Sequence, residues 1–252
     1  MEMGLRDKVV IVTGSSRGIG AATAKLMAML GARVVVNYAQ GRTDAVSVVE
    51  DIKSAGGAAI AVQCDVRDAQ QVKSLVARAV AEWGAVHVLV NNAVKDTQAR
   101  EAMELGWDDF LGELEVTLKG MHHCCREVVP LFKLQGGGKI VNLSTIFVDN
   151  PVKGQCKYIT AKSAVVGYSR SLAKELAGDH IQVNVLAPNM TSTDLLAGLP
   201  TEIVRRMGQQ RPGKRNMDPV EVAQAIVFLA SQWSNSMNGQ KLVLNLGEPP
   251  FA

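Results

Sequence analysis

Short apolar runs alternate with longer amphipathic stretches along the whole chain. Val9-Val10-Ile11-Val12 is apolar at every position, as a strand buried on both faces requires. Residues from Gly18 to about Leu30 carry helical spacing and stop at Gly31. Val34-Val35-Val36 predicts a second strand. A helix is expected near Asp44–Ala55, closed by Gly56-Gly57, with Ala59-Ile60-Ala61-Val62 as the third strand. Asp68 to Trp83 reads as a helix stopping at Gly84, and Val86-His87-Val88-Leu89-Val90 as the fourth strand. Trp107 to about Leu134 predicts one long helical region, closed by Gly136-Gly137-Gly138. Ile140-Val141-Asn142-Leu143 is the fifth expected strand, Tyr158–Ala177 another long helix, and Ile181-Gln182-Val183-Asn184-Val185-Leu186 the sixth strand. Lys241-Leu242-Val243-Leu244 completes a seventh. Strand and helix alternate throughout, which argues for a parallel sheet covered by helices on both faces. With no linker, repeat or low-complexity tract, residues 1–252 read as one domain. The least regular stretch, Pro188 to about Asp218, is expected to supply a substrate lid at about 189–217.

Composition narrows the class. The 252 residues are 47% hydrophobic and 20% charged, an ordinary globular mix. A net charge of +3 is too small to argue for nucleic acid or membrane. No apolar run approaches the ~18 residues of a spanning helix, and the N-terminus lacks a signal peptide's apolar core. A cytoplasmic address is therefore expected. Cys64, Cys124, Cys125 and Cys156 show no Cys-x-x-Cys spacing, so neither zinc nor dithiol chemistry is suggested. His122-His123-Cys124-Cys125 looks like a metal tract, but adjacent helical residues point in different directions. At most two of the four could share one ion, so the tract reads as helix packing and no metal is expected.

Two motifs carry chemistry. The first is Thr13-Gly14-Ser15-Ser16-Arg17-Gly18-Ile19-Gly20, where a strand ends and a helix opens. Backbone amides at a helix N-terminus attract phosphate, and glycines let the backbone approach it closely. The second is Tyr158-Ile159-Thr160-Ala161-Lys162. Positions i and i+4 share a helix face, so the Lys162 ammonium can lie beside the Tyr158 phenol. A neighbouring cation favours phenolate, so Lys162 is expected to lower the Tyr158 pKa. The pair then acts as proton donor and acceptor near neutral pH. Alone, the spacing is common helix-surface decoration; the glycine turn changes that.

Cofactor choice follows from charge. An NAD site usually offers a carboxylate to the ribose 2′-hydroxyl at the end of the second strand. This chain reads Val36-Asn37-Tyr38-Ala39 there, with Arg17 in the glycine turn and Arg42 just beyond the strand. Two cations and no acid favour NADPH over NADH.

The spacing Gly14-x-x-x-Gly18-x-Gly20 resembles that of the short-chain dehydrogenase/reductase family. Also similar are Asp65-Val66 after the third strand, Asn91-Asn92-Ala93 after the fourth, and Tyr158-x-x-x-Lys162. The resemblance runs from Lys8 to about Gly247. It implies a Rossmann-type doubly wound α/β sheet of seven parallel strands. By resemblance, Asp65 would bond the adenine amino group and Val66 would pack on its ring. Asn92 and Ala93 would line the ribose and nicotinamide side, with Val94 beside them. The cofactor set so implied is Gly14, Ser15, Ser16, Arg17, Gly18, Ile19, Gly20, Asn37, Tyr38, Ala39, Arg42, Asp65, Val66, Asn92, Ala93, Val94, Tyr158, Lys162, Pro188, Thr191 and Thr193.

The catalytic set implied is Tyr158, Lys162, Thr145 and Thr117, two of which depart from the family's usual residues. Thr145 stands where serine usually binds the substrate oxygen, with Ser144 as the alternative hydroxyl. Thr117-Leu118-Lys119-Gly120 stands for an Asn-Leu-x-Gly segment whose backbone carbonyl holds a water near the lysine. Its interval from Trp107 is a few residues longer than usual, which leaves the helix kink there open. Val94 replaces a glycine, Pro188-Asn189 a Pro-Gly, and Asn245-Leu246-Gly247 an Asp-Gly-Gly.

The resemblance implies hydride transfer from NADPH to a carbonyl, with Tyr158 as general acid. Lys162 would tune Tyr158 and hold the nicotinamide ribose. The branch most similar is that of the 3-oxoacyl-carrier-protein reductases, so a 3-oxoacyl thioester or related ketone is expected, free or carrier-bound. Met190, Leu195, Leu196, Leu199, Ile203 and Met207 would give the lid an apolar face. Arg205, Arg206, Arg211, Lys214 and Arg215 would either meet a phosphopantetheine or acidic carrier, or form a solvated face. Gly178-Asp179 argues against a carrier, because an acid stands where carrier-dependent members often have a base. Two alternatives follow: a dehydrogenase of a free sugar or secondary alcohol, and a cofactor-binding protein with little catalysis. A homotetramer packed through the two long helices is expected.

Overall fold

The apolar runs become the strands of one sheet in a computed structural model, which describes residues 3–95, 98–193 and 201–249. The strands are β1 (Val9–Val12), β2 (Arg33–Tyr38), β3 (Ala58–Gln63), β4 (Val88–Asn91), β5 (Gly138–Leu143), β6 (Ile181–Pro188) and β7 (Lys241–Leu244). All neighbouring pairs are parallel, in the order β3-β2-β1-β4-β5-β6-β7. The order reverses direction at β1 and β4, which opens a crevice beyond their carboxyl ends.

Eight helices described here are α1 (Gly18–Met29), α2 (Arg42–Ser54), α3 (Ala69–Trp83), α4 (Trp107–Leu114), α5 (Gly120–Leu134), α6 (Cys156–Leu176), α7 (Thr201–Gln209) and α8 (Pro219–Ala230). They cover both faces of the sheet. Val10 and Val12 of β1 pack into one apolar cluster with residues of α1, α2 and α8. Val9 and Ile11 pack into the other with residues of α3, α5 and α6. Successive side chains of a strand point to opposite faces, so both halves of an all-apolar run are buried.

Local signals set the helix ends. Asp68 caps α3 by accepting from the amides of Gln70 and Gln71, and Gly84 ends it in the left-handed conformation. Asp218 and Glu221 form a capping box on α8, with Pro219 in the first turn.

The expected helical region from Trp107 to Leu134 runs without a break, but its winding changes once. A π-turn over Glu115–Lys119 joins α4 to α5, with Thr117 buried inside it. The wider i→i+5 turn is a change of winding that apolar periodicity does not reveal. The longer interval after Trp107 is thus accommodated by a bulge at Thr117 itself.

In the lid segment, α7 presents Ile203 to solvent, while Leu195, Leu196 and Leu199 lie outside the described residues. The basic residues of this segment are largely neutralised. Arg205 pairs with Glu202, Arg215 with Glu221, and Arg211 with Glu248.

Candidate active site

The glycine turn leaves β1 and enters α1 with its geometry fixed from three sides. Gly14 has φ +60°, and a Cβ there would stand 2.9 Å from the Ala93 Cα. Thr13 Oγ1 accepts from the amides of Asn92 and Ala93, both at 3.0 Å. Asn92 Nδ2 in turn donates to the carbonyls of Thr13 and Gly14, each at 2.9 Å. Asn92 and Ala93 therefore lock the turn onto the end of β4. Arg17 is the N-cap of α1 and makes no side-chain cap bond, so no side chain occupies the first amides of the helix. A backbone this close, with amides uncapped by any side chain, fits a dinucleotide's pyrophosphate.

Three residues assigned to the cofactor have structural duties. Asn37 is buried, and its Oδ1 accepts from the Gly14 amide at 3.1 Å. Its Nδ2 donates to the Cys64 carbonyl at 3.0 Å, tying the turn to the end of β3. Ser15 is also buried and donates from Oγ to the Val12 carbonyl at 2.7 Å. Tyr38 packs in the apolar core. Ala39, Arg17 and Arg42 are exposed at this edge, and Ser16 is partly buried. Gly18 and Thr193 are in contact range, because a Cβ on Gly18 would lie 3.3 Å from Thr193 Cγ2. Thr191 is buried and donates to the Asn189 carbonyl at 2.9 Å, just past Pro188 at the end of β6.

Asp65 is held by Arg67 through a forked contact whose shortest arm is 2.6 Å. That contact, with the Arg67 amide, keeps its carboxyl below the ordinary range. Val66 is buried beside it, and its carbonyl contacts His123 Nδ1 at 3.1 Å. His122 Nδ1 instead meets the Tyr168 hydroxyl at 3.1 Å, while Cys124 and Cys125 are buried in the core. The His-His-Cys-Cys tract thus spreads its side chains over different partners. Among the described residues, no three His, Cys, Asp or Glu side chains gather as a metal set.

The expected catalytic residues meet where α6 crosses the end of β5. Lys162 Nζ donates to the Leu143 carbonyl at 2.7 Å, and Ser144 Oγ donates to the Lys162 carbonyl at 3.0 Å. Ser144 is thereby committed to fastening α6, while Thr145 Oγ1 accepts from the Phe147 amide at 3.3 Å. Thr145 lies near enough to the Tyr158 hydroxyl to favour its charged form. Lys162 Nζ lies 5.8 Å from the centroid of the Tyr158 ring. Thr117, Lys162, Asn91, Ala93 and Val66 line a common small cavity, and the Thr117 hydroxyl has no hydrogen-bond partner among the described residues. Val94 follows Ala93 and is exposed.

The charge states differ from the expectation. Lys162 does not lower the Tyr158 phenol in this structure. Burial of the hydroxyl end pushes it up to about 12, against a smaller lowering by Thr145. The Lys162 ammonium is itself lowered to about 8 by burial, with Glu113 pulling it back up. Burial therefore decides the direction at both groups, raising the phenol and lowering the ammonium. Tyr158 is thus firmly protonated at neutral pH.

Two features escaped the motifs. Asn91 donates to Asn142 Oδ1 at 2.8 Å, and Asn142 donates to Ser169 Oγ at 2.8 Å, forming a buried polar chain between β4, β5 and α6. The signal was an asparagine inside the apolar run Ile140-Val141-Asn142-Leu143. The other is Glu113, fully buried on α4 one helical turn before Thr117.

Comparison with known proteins agrees with this architecture. Residues 14–248 match the family model described as enoyl-(acyl carrier protein) reductase. The 3-oxoacyl-[acyl-carrier-protein] reductase of Staphylococcus aureus is 37% identical over 244 residues, covering 95% of this chain and 97% of that protein. The cis-4-hydroxycyclohexanecarboxylate dehydrogenase of Sinomonas cyclohexanicum is 36% identical over 242 residues, covering 96% of each. A 7α-hydroxysteroid dehydrogenase solved with NADH and 7-oxo glycochenodeoxycholic acid superposes with a TM-score of 0.92 at 30% identity. That match covers 98% of this chain and 96% of the other. The strand order, the cradle at the start of α1 and relatives that span nearly the full length agree, and the chain belongs to the short-chain dehydrogenase/reductase family.

Proposed function

We propose that this chain reduces a carbonyl, a 3-oxoacyl thioester or a related ketone, to a secondary alcohol, with NADPH as the cofactor. The reading rests on one observation above all: Tyr158 and Lys162 stand together on α6, with Lys162 Nζ 5.8 Å from the Tyr158 ring and tied to the end of β5, beside Thr145. A phenol raised to about 12 carries its proton at neutral pH but gives it up reluctantly, so donation to the carbonyl oxygen relies on the Lys162 charge that stabilises the phenolate left behind. The reduced nicotinamide, when bound, supplies the hydride. Thr145 and Tyr158 hold the carbonyl oxygen, where negative charge develops. Tyr158 delivers the proton to that oxygen. Lys162 lends positive charge to the phenolate left behind and bonds the nicotinamide ribose. The backbone carbonyl at the Thr117 bulge orders a water that leads protons toward Lys162. Gly14, Gly18 and Gly20 admit the pyrophosphate to the α1 amides, with Ser15, Ser16 and Ile19 framing it. Arg17 and Arg42 meet the 2′-phosphate.

NADPH oxidation by a panel of activated ketones and β-keto thioesters, free and carrier-bound, tests the reading. Turnover on at least one carbonyl is expected, with Tyr158→Phe losing it while still binding NADPH. Full turnover by Tyr158→Phe sinks the assignment, and tight NADPH binding without turnover on any carbonyl favours a cofactor-binding protein.

A free alicyclic ketone or alcohol is the second reading. Arg205, Arg211 and Arg215 are each paired with a carboxylate, which removes much of the positive face an acidic carrier needs. Asp179, in contrast, is paired with Lys133 at 2.8 Å, so its charge no longer argues strongly against a carrier. The panel's free and carrier-bound arms separate the two.

Assembly as a homotetramer through α4, α5 and α6 completes the reading, supported by the exposed Trp107 and Leu111 on α4. A cytoplasmic setting goes with it; no helix among the described residues is long and apolar enough to cross a membrane.

A further inference from the structure

Glu113 is 0% exposed, and neither of its carboxylate oxygens has a hydrogen-bond partner among the described residues. A buried carboxyl group without partners is costly, so its retention calls for a compensating group nearby. We propose that Glu113 is a positioning residue that keeps Lys162 in its ammonium form, the charge that faces the phenolate left when Tyr158 gives up its proton. The inference rests on the carbonyl-reductase reading given above.

Placement supports it. Glu113 lies on α4, which packs against α6, the helix that carries Tyr158 and Lys162. Thr117 follows one turn later on the same face, also buried and with its hydroxyl unpartnered, and lines the cavity it shares with Lys162. Among the described residues, Glu113 is the charged group acting on Lys162, and it opposes the effect of burial. The same carboxylate disfavours a second negative charge on Tyr158. It thus favours the ammonium of Lys162 and the neutral phenol of Tyr158, the states from which reduction starts.

Other charges near α4 have different placements. Lys95, from the segment after β4, brings its Nζ to within 2.6 Å of where a Gly112 Cβ would be. Its side chain is exposed, so water screens it. Glu115 and Lys119 pair with each other at 3.4 Å on the partly exposed side of the π-turn. Lys157, buried at the start of α6, precedes Tyr158 in sequence and so points to a different side of the helix.

The test reads Lys162 directly in the protein without substrate. Lysine labelled with 13C at Cε gives a resonance that moves as the ammonium loses its proton, assigned by its absence in Lys162→Arg. Glu113→Gln should lower the Lys162 midpoint by about 1–2 pH units, the size expected for removal of one close charge in a buried site. Glu113→Asp, which withdraws the carboxylate by one methylene, should fall between. The alkaline limb of kcat/KM should follow the same order, with the NADPH dissociation constant unchanged. An unmoved midpoint in Glu113→Gln overturns the proposal. If that variant does not fold, an unmoved midpoint in Glu113→Asp does the same. Because the titration needs no turnover, it can fail while the carbonyl panel succeeds, and the reverse.

Discussion

Lys162 donates from Nζ to the carbonyl of Leu143 at 2.7 Å, so the one ammonium of the site is anchored to the last residue of β5. The bond fixes Lys162 beside Tyr158 and keeps it away from water, where burial lowers it to about 8. Tyr158 stays protonated to about 12. The alkaline fall in activity therefore belongs to the lysine. Below about 8 the ammonium is present and stabilises the phenolate formed on proton transfer; as pH rises through that value the charge is lost. A kcat/KM profile for ketone reduction should bend downward near pH 8. A profile flat to pH 10 contradicts this assignment.

The same burial makes Lys162 costly to the free protein. Folding lowers it from the ordinary 10.5 to about 8, so between those values the unfolded chain binds more protons than the native one. Stability from this group thus rises with pH across that window, and at pH 7 the folded ammonium carries its full penalty of roughly 3 kcal/mol. Lys162→Met removes the charge and keeps the bulk, at the expense of leaving the Leu143 carbonyl unbonded, about 1–3 kcal/mol. The net expected is a small gain at pH 7, of order 1 kcal/mol, that becomes a loss by pH 10.5. Urea denaturation of the apoprotein at the two pH values checks the change of sign, and turnover should be lost at both.

The sheet was visible in the sequence because its strands are buried on both faces, so runs such as Val9–Val12 carry no polar interruption. The glycine turn was visible because a backbone conformation closed to other residues demands glycine there. What the sequence hid depends on tertiary surroundings. Asn37 looks like a free polar group at a strand end, yet it is consumed by Gly14 and Cys64. Asp65 looks like an open acceptor, yet Arg67 holds it. The direction of the Tyr158 shift depends on how much water reaches the hydroxyl, which an i, i+4 spacing does not encode. The bulge at Thr117 changes the winding of one turn and leaves the apolar pattern on either side intact. Glu113 went unread for a related reason: an acid on an amphipathic helix is ordinarily solvated.

Gly14→Ala tests the cradle. The added methyl would meet the Ala93 Cα at 2.9 Å and sit on a residue with φ +60°. Left-handed strain costs about 1 kcal/mol, and crowding against backbone adds about 1–3 kcal/mol. Urea denaturation should show a loss of about 2–4 kcal/mol. NADPH affinity should fall at least about tenfold, because the turn and the β4 end must move apart. Unchanged stability means the turn is looser than the Thr13, Asn92 and Ala93 bonds indicate.

Cofactor preference turns on the exposed edge beyond β2. Arg17 and Arg42 stand there without an ion pair among the described residues, free to meet a 2′-phosphate. Asp44 is at the same edge, its Oδ2 3.1 Å from where a Gly41 Cβ would be, and a carboxylate suits a ribose 2′-hydroxyl instead. The two arrangements predict opposite responses. With NADPH as the cofactor, Arg42→Asp should raise its KM by about 10–100-fold, the loss of a charge-assisted phosphate contact, and alter the KM for NADH by less than about threefold. Asp44→Asn should then strengthen NADPH by removing a like charge. If Asp44 instead binds the ribose, Asp44→Asn selectively weakens NADH, and Arg42→Asp leaves the ratio of the two cofactors near its starting value. Initial rates with each cofactor on one ketone decide between them, since a 2′-phosphate site built from Arg17 and Arg42 makes Arg42→Asp raise the KM for NADPH and leave that for NADH nearly unchanged.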